Sequence, residues 1–283
     1  GGGIYHVKGG LNQISEKMAE VVKKNGGKIF LNQAVDEILI ESGKAVGVKL
    51  KDGRIEKSDA VVINSDFAYS MTKLVNPQHR KKYTDNALEK KKYSCSTFMI
   101  YLGVKKIYSD ILHHNIIFSN DYKKNVNEIT NEKVLSKNPS FYIQNPSVID
   151  STLAPSGKST IYILVPVPNN KSSINWEKEK KGLRDYTINK AMKEGGLTDL
   201  DQYIEEEKII TPLDWESSMN IYKAATFNLG HQMNQMLYYL PHNRFEEFKN
   251  CYLVGGGTHP GSGLPTIYES GRISANLIKK DLL

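Results

Sequence analysis

The chain has 283 residues, a formal net charge of +7, 39% hydrophobic and 24% charged residues, and two cysteines. That length suits one large domain or two ordinary ones with a sizeable core, and the distant pair Cys95 and Cys251 supplies neither a disulfide framework nor a zinc motif. No run of about eighteen apolar residues predicts a membrane span, no signal peptide opens the sequence, and lysines mixed with glutamates, without an interleaved aromatic stripe, argue against a nucleic-acid partner.

Leu11, Ile14, Met18, Val21 and Val22 fall on one face at helical spacing, predicting a helix over 11–24 that Asn25-Gly26-Gly27 stops. Lys28–Leu31 reads as a short strand of a parallel sheet. Val35–Ile40 and Ala45–Leu50 read as strands joined by a hairpin turn over Glu41–Lys44, and Asp52-Gly53 marks a second turn. Ala60–Ile63 is a continuous apolar run bounded by polar residues, as in a buried parallel strand. Asn64-Ser65-Asp66 then stands at the strand's carboxyl end, where ligands collect in open α/β sheets.

Residues 67–249 change character. "TFMIYLGV", "NIIFSN", "PSFYIQNPSVI" and "STIYILVPVP" predict strands, and helices are expected at Trp176–Lys193 and around Pro77–Lys92. This block, dense in Tyr and Phe, reads as a second, α+β domain inserted into the first. The expected division is 1–66, 67–249 and 250–283, with the first and last pieces forming one α/β domain. Both cysteines sit in apolar contexts, as small buried hydrophobes do, and with no disulfide framework a reducing, cytoplasmic setting is the default expectation.

The last piece, "YLVGGGTHPGSGLPTIYESG", passes from strand through a glycine-rich turn into the final helix. A helix N-terminus presents free N–H groups and a positive dipole end. Glycines before it let a ligand approach the backbone. The turn over Gly255–Leu264 therefore suits an anionic or electron-rich group, although its spacing matches neither common nucleotide fingerprint; a plain connector has the same form. Pro265 is tolerated in the first helical turn.

"NCYLVGGGTHPGSGLPTIYESG" closely resembles the C-terminal signature of the bacterial-type phytoene desaturases, FAD-dependent carotenoid oxidoreductases. "PSVIDSTLAPSGKSTIYILVPVPN" and "GGGIYHVKGGLNQISEKMAEVVKKNGGKIFLNQAVDEI" extend the likeness over nearly the whole chain. The resemblance implies an amine-oxidase-like two-part flavoprotein: a partial FAD-binding Rossmann-like domain with an inserted α+β substrate domain. The family's N-terminal strand–GxGxxG–helix unit has no counterpart in this sequence, so the chain corresponds to the C-terminal part of such an enzyme.

By resemblance, Gly256, Gly257, Thr258, Gly263, Leu264 and Pro265 line the flavin's ribityl-pyrophosphate and pyrimidine edge. Val35 meets the adenine through its backbone, with Asn64 and Asp66 near the same half. The implied reaction dehydrogenates a carotenoid precursor such as phytoene by hydride transfer to flavin N5 and proton loss. His259 and His6 are the candidate proton acceptors; the alternative for His259 is a loop residue fixing the turn. Phe98, Ile100, Tyr142, Ile161, Tyr162, Leu164, Phe227, Met233 and Met236 are candidates to line an apolar tunnel for a long polyene.

His242 and Arg244 are expected to brace a domain junction. His113 and His114 lack ligand-like companions, so no metal is expected. Quinone or oxygen is the implied electron acceptor, and a peripheral membrane surface the implied source of substrate. Ile221–Pro241, rich in Met, Tyr and Leu, is the candidate membrane-facing element. The alternatives are an FAD oxidoreductase of the same superfamily acting on another lipid or an amine, and a non-catalytic fragment that needs a separate flavin-binding half.

Overall fold

A computed structural model describes Gly3 and residues 5–283; Gly1, Gly2 and Ile4, at the start of the expected first domain, lie outside the described residues. The chain begins with α1 (Asn12–Lys24), β1 (Val35–Glu41), β2 (Lys44–Leu50), β3 (Ile55–Lys57), β4 (Val61–Ile63), α2 (Phe67–Leu74) and α3 (Asp85–Glu89). It continues through β5 (Ser96–Val104), β6 (His114–Ile117), α4 (Tyr122–Asn127), β7 (Phe141–Gln144), β8 (Ser159–Val167) and α5 (Trp176–Glu194). It closes with α6 (Leu200–Tyr203), β9 (Ile204–Ile210), α7 (Pro212–Ser217), β10 (Cys251–Leu253) and α8 (Leu264–Leu282).

Two compact units result. The first gathers residues up to Leu31 with Thr97–Pro168 and Ser172–Thr211. Its centre is a five-stranded sheet of order β6-β7-β8-β5-β9. Strict alternation along β8 turns Ile161, Ile163 and Val165 to one face, where they pack with Phe98, Ile100, Phe141 and Ile143. α5 covers that face with Trp176, Leu183, Ile188 and Ala191, and the Trp176 ring stacks on Phe98 at 6.1 Å.

The second unit gathers Asn32–Ser96, Asn169–Lys171 and Pro212–Leu283. β1 and β2 form an antiparallel hairpin whose turn residues Ser42 and Gly43 both hold positive φ. β3 adds to β2 where Gly47 leaves room for the chain; a Cβ there would stand 2.1 Å from the Glu56 carbonyl oxygen. β4 and β10 pair in parallel, Val61 opposite Cys251 and Ile63 opposite Leu253. The core of this unit joins Ile38, Ile63, Phe67, Met71, Phe245, Phe248 and Leu253.

Most predicted elements are present, with two corrections. Lys28–Leu31 is not a strand: no strand among the described residues pairs with it, and Phe30 and Leu31 are 71% and 78% exposed. The helix expected around Pro77–Lys92 is two short pieces, a turn at Pro77–His79 and α3. Between them the buried Arg80 guanidinium donates to the Tyr83 carbonyl and to Asp85, and the Thr84 hydroxyl accepts the Ala87 N–H to start a new helix. β9, which carries three consecutive glutamates, was not anticipated; its pairing with β5 overrides its composition.

Candidate functional site

The parallel pair β4–β10 brings Asn64 and Val254 side by side at its carboxyl end, where the Val254 N–H donates to the Ile63 carbonyl at 3.0 Å. The chain must then turn sharply, and Gly255 does so at φ +102°. α8 pins the turn from behind: the Gly255 N–H donates to Ser270 Oγ at 2.9 Å, and Ser274 Oγ donates to the Leu253 carbonyl at 2.7 Å. The buried Asn243 amide donates to the carbonyls of Leu253 and His259, and the Thr258 hydroxyl closes back on the Gly255 carbonyl. These bonds fix the turn with its glycines facing a cavity of about 270 Å³.

Gly256, Gly257 and Thr258 line this cavity together with Asn64 and Asp66, as the sequence suggested. Asn228 and Thr226, which sequence reasoning missed, also line it, with the Asn228 carboxamide against the two glycines. Cβ atoms at Gly256 and Gly257 would meet the Asn228 carboxamide, its Nδ2 and Oδ1 respectively, each at 3.1 Å. Asn228 holds φ +61°, with its N–H on the Ala225 carbonyl and its carbonyl on the Ser94 N–H. The signal in sequence was a polar Asn two residues before a Gly, a left-handed turn residue by habit. Thr226 Oγ1 is buried without a hydrogen-bond partner.

Asp66 caps α2 by accepting the Tyr69 N–H at 2.8 Å. Burial pushes its carboxyl up to about 6, against the pull of the backbone amides of Tyr69, Tyr222 and Ala68.

The other predicted residues stand nearby or apart. Gly263 (φ +100°), Leu264 and Pro265 begin α8 and do not line this cavity. A second cavity of about 300 Å³ lies beyond Gly256, walled by Leu229, Met236, Leu237, Leu240 and Pro260. Val35 lines a third, of about 290 Å³, with Ile38, Val48 and Lys51; it shares Asn64 and Ser65 with the glycine-turn cavity. His259 donates its N–H to the Pro241 carbonyl, and its Nδ1 lies 3.2 Å from the Leu237 carbonyl. Arg244, expected at a domain junction, instead forks onto Asp281 of α8 within the same unit.

His6 belongs to the other unit. Its Nε2 lies 2.9 Å from Asp150 Oδ2, a carboxylate that also accepts from the Gly9 N–H and from the Thr152 N–H and hydroxyl. Those bonds, Thr152 first, hold Asp150 well below the usual carboxylate range. The His6 ring stands edge-on to His113 at 5.4 Å, and burial, with His114 and His6 beside it, pushes the His113 imidazole down.

The sheet of the first unit sorts the tunnel candidates. Phe98, Ile100 and Ile161 are sealed in the core. Tyr142, Tyr162 and Leu164 stand on the opposite, open face, where Tyr101 and Tyr142 flank Tyr162 at ring separations of 5.9 and 5.7 Å and Tyr142 continues to His114. Phe227, Met233 and Met236 lie in the second unit, Met233 being 91% exposed. Cys251 is buried and its thiol pushed up to about 12, whereas Cys95 is only partly covered.

Among the described residues, no group of three or more His, Cys, Asp or Glu side chains could hold a metal ion. No helix among them is long and apolar enough to cross a membrane.

Comparison with known proteins agrees with this architecture. The chain is 54% identical over 278 residues to the 4,4'-diapophytoene desaturase (4,4'-diapolycopene-forming) of a Methylomonas species, covering 98% of this chain and 54% of that protein. It is 37% identical to the all-trans-zeta-carotene desaturase of Myxococcus xanthus, over 99% of this chain and 53% of the relative. The chain thus spans about half the length of these curated relatives. An oxidoreductase structure from Methanosarcina mazei shares the fold with a TM-score of 0.59 at 19% identity, over 95% of this chain and 55% of that one. The family model for flavin containing amine oxidoreductases matches residues 1–279, and with the strand–glycine turn–helix in the place described, the chain belongs to that family.

Proposed function

We propose that this chain works as part of an FAD-dependent carotenoid desaturase that dehydrogenates a long apolar precursor such as phytoene or its diapo counterpart. The observation that carries the reading is the 54% identity, along almost all of the chain, to a diapophytoene desaturase.

The residues present fit a flavin. Gly256, Gly257 and Thr258 line the cavity together with the Asn64, Asp66 and Asn228 side chains, and the buried Thr226 hydroxyl lacks a partner. When bound, the flavin supplies the two-electron acceptor that no side chain offers. In this reading Gly256, Gly257 and Thr258 hold the flavin closely, while Gly263, Leu264 and Pro265 set the helix start beside it. The Val35 cavity takes the adenine; the flavin side draws on residues 32–66 and 250–283 together with Thr226 and Asn228 of the 67–249 block, whose five-stranded sheet forms the substrate side.

Tyr101, Tyr142, Tyr162 and Leu164 would wall the polyene and exclude water. His6, steadied by Asp150, and His259, steadied by two backbone contacts, would each be placed to accept a proton at an imidazole nitrogen. Exposed Met233, Leu237, Tyr238 and Tyr239 would rest in a membrane surface, from which an insoluble substrate must come. In this reading the protein is cytoplasmic and peripherally membrane-associated. Quinone or oxygen would take the electrons.

The test is a chimera in which this chain replaces the matching part of the Methylomonas relative, expressed in cells that make phytoene or diapophytoene. Coloured polyenes are expected. A folded chimera that leaves the precursor unchanged contradicts the reading.

A further inference from the structure

Three imidazoles stand together in the first unit, and their surroundings sort them. His6 Nε2 is committed to the Asp150 carboxylate at 2.9 Å. His113 stands edge-on to His6 at 5.4 Å, and its Nε2 is buried without a hydrogen-bond partner, which favours the uncharged ring. His114 stacks on His113 at 3.8 Å and is exposed to water. The antiparallel pairing of β6 with β7 sets His114 opposite Gln144 and Ile116 opposite Tyr142, so His114 and Tyr142 are diagonal neighbours on one face. Their rings lie 5.9 Å apart, and the Tyr142 hydroxyl bonds His114 Nδ1. On the same open face Tyr142 meets Tyr162 at 5.7 Å, and Tyr162 meets Tyr101 at 5.9 Å. Tyr142 therefore joins the tyrosine row to an imidazole open to water. Burial, with Tyr162 beside it, pushes the Tyr142 phenol above its ordinary range, so the hydroxyl stays protonated and passes one proton on only as it takes another.

We infer that His114, acting through Tyr142, takes the proton released in the dehydrogenation proposed above. The inference rests on the desaturase reading and narrows its proton step, which that reading left with His6 and His259. One carbon of the polyene gives up hydride, with its electron pair, to the two-electron acceptor. The C–H bond of the neighbouring carbon breaks, its electron pair forms the new double bond, and its proton bonds the Tyr142 oxygen. The Tyr142 O–H proton passes to His114 Nδ1, and the imidazolium returns its Nε2 proton to water. Tyr142 is the catalytic residue and His114 the group behind it. The titratable groups in contact with His114 are His113 and Tyr142; His6 and Asp150 stand behind His113, and Tyr162 behind Tyr142.

Two experiments test this. Nitrogen NMR of the histidine rings is read on the purified chain without substrate. Above neutral pH His114 should carry its proton on Nε2, with a bare Nδ1 whose resonance moves in Tyr142→Phe. A proton on Nδ1, or a resonance unmoved by Tyr142→Phe, would overturn the inference, because no lone pair would then meet the phenol. In the chimera, His114→Gln should lower turnover about 10²-fold and remove the acid limb of its pH profile, with KM and melting temperature in place. Tyr142→Phe should cost about as much, and the double variant no more than either, as for two members of one relay. Turnover of His114→Gln within about threefold of the parent, an acid limb that survives it, or losses that multiply in the double variant would each overturn the inference while leaving the desaturase reading intact. A chimera that makes no coloured product with His114 and Tyr142 in place contradicts the desaturase reading itself, and the inference falls with it.

Discussion

The two faces of the five-stranded sheet are built by the same strands yet have opposite chemistry. One face is a dry core in which Phe98, Ile100, Ile143, Ile161 and Ile163 are fully buried under α5. The other carries Tyr101, Ile116, Tyr142, Tyr162 and Leu164, with Tyr101 and Ile116 exposed and the rest half-buried. On the second face the tyrosine rings cover one another, and burial raises the Tyr142 and Tyr162 phenols above their ordinary range. The difference teaches that alternation sorts the residues of one strand into a sealed set that holds the unit together and an in-between set left on an open face.

The contrast can be broken most forcefully at Ile163. Ile163→Ala opens a cavity in a close-packed core and should lower stability by about 2–5 kcal/mol, read from denaturant melts. If it falls below about 1 kcal/mol, the sealed face is not the core. Leu164→Ala, one residue along on the open face, should cost less than about 1.5 kcal/mol in the same melts. In the chimera it should nonetheless shift the balance of carotenoid products.

The second unit offers an electrostatic version of the same contrast. Asp66 has a folded-state value of about 6, raised from 3.8. Its contribution to stability is therefore fully present below pH 4 and is lost as pH rises through 6. Asp66→Asn keeps a competent helix cap. It should stabilise the chain at pH 7 by about 2 kcal/mol, after discounting for solvent that reaches the carboxyl, and should flatten the stability profile between pH 4 and 6. A variant less stable than the parent at pH 7 would show that the carboxylate is favourably held.

Asp150 runs the other way. Its depressed value means stability that is present at neutral pH and lost on acidification below the ordinary carboxylate range. Asp150→Asn should lower the melting temperature at pH 7 and remove that acid sensitivity; an unchanged acid profile would count against the bonds from Thr152, Gly9 and His6 that hold the carboxylate. The smallest effect is expected at Tyr162→Phe, which removes a hydroxyl from an already crowded row and should change stability by less than about 0.5 kcal/mol.

Sequence patterning made the elements legible where side-chain spacing follows the element, and not where pairing overrides composition, as in β9. β8 was readable because strict alternation needs only a sheet and a core, and both are present. The glycine turn was readable because positive φ at Gly255 and Gly263 admits few other residues. α1 shows the limit. Its apolar stripe predicts the helix correctly, yet Leu11, Met18 and Val21 are all more than half exposed. Periodicity reports that a face wants burial, not what will bury it. Lys28–Leu31 failed for the same reason, since a strand exists only beside another. Asn228 and Thr226 escaped notice because only tertiary placement brings them into the same cavity wall as glycines far along the chain.

The most direct test of the central claim is anaerobic mixing of the purified, flavin-loaded chimera with phytoene or diapophytoene in lipid vesicles, following flavin and polyene absorbance together. The account predicts flavin bleaching matched in amount by new carbon–carbon double bonds, with both signals abolished by Gly257→Val. Flavin that stays oxidised in the presence of the precursor, or that bleaches without any change in the polyene, would contradict it.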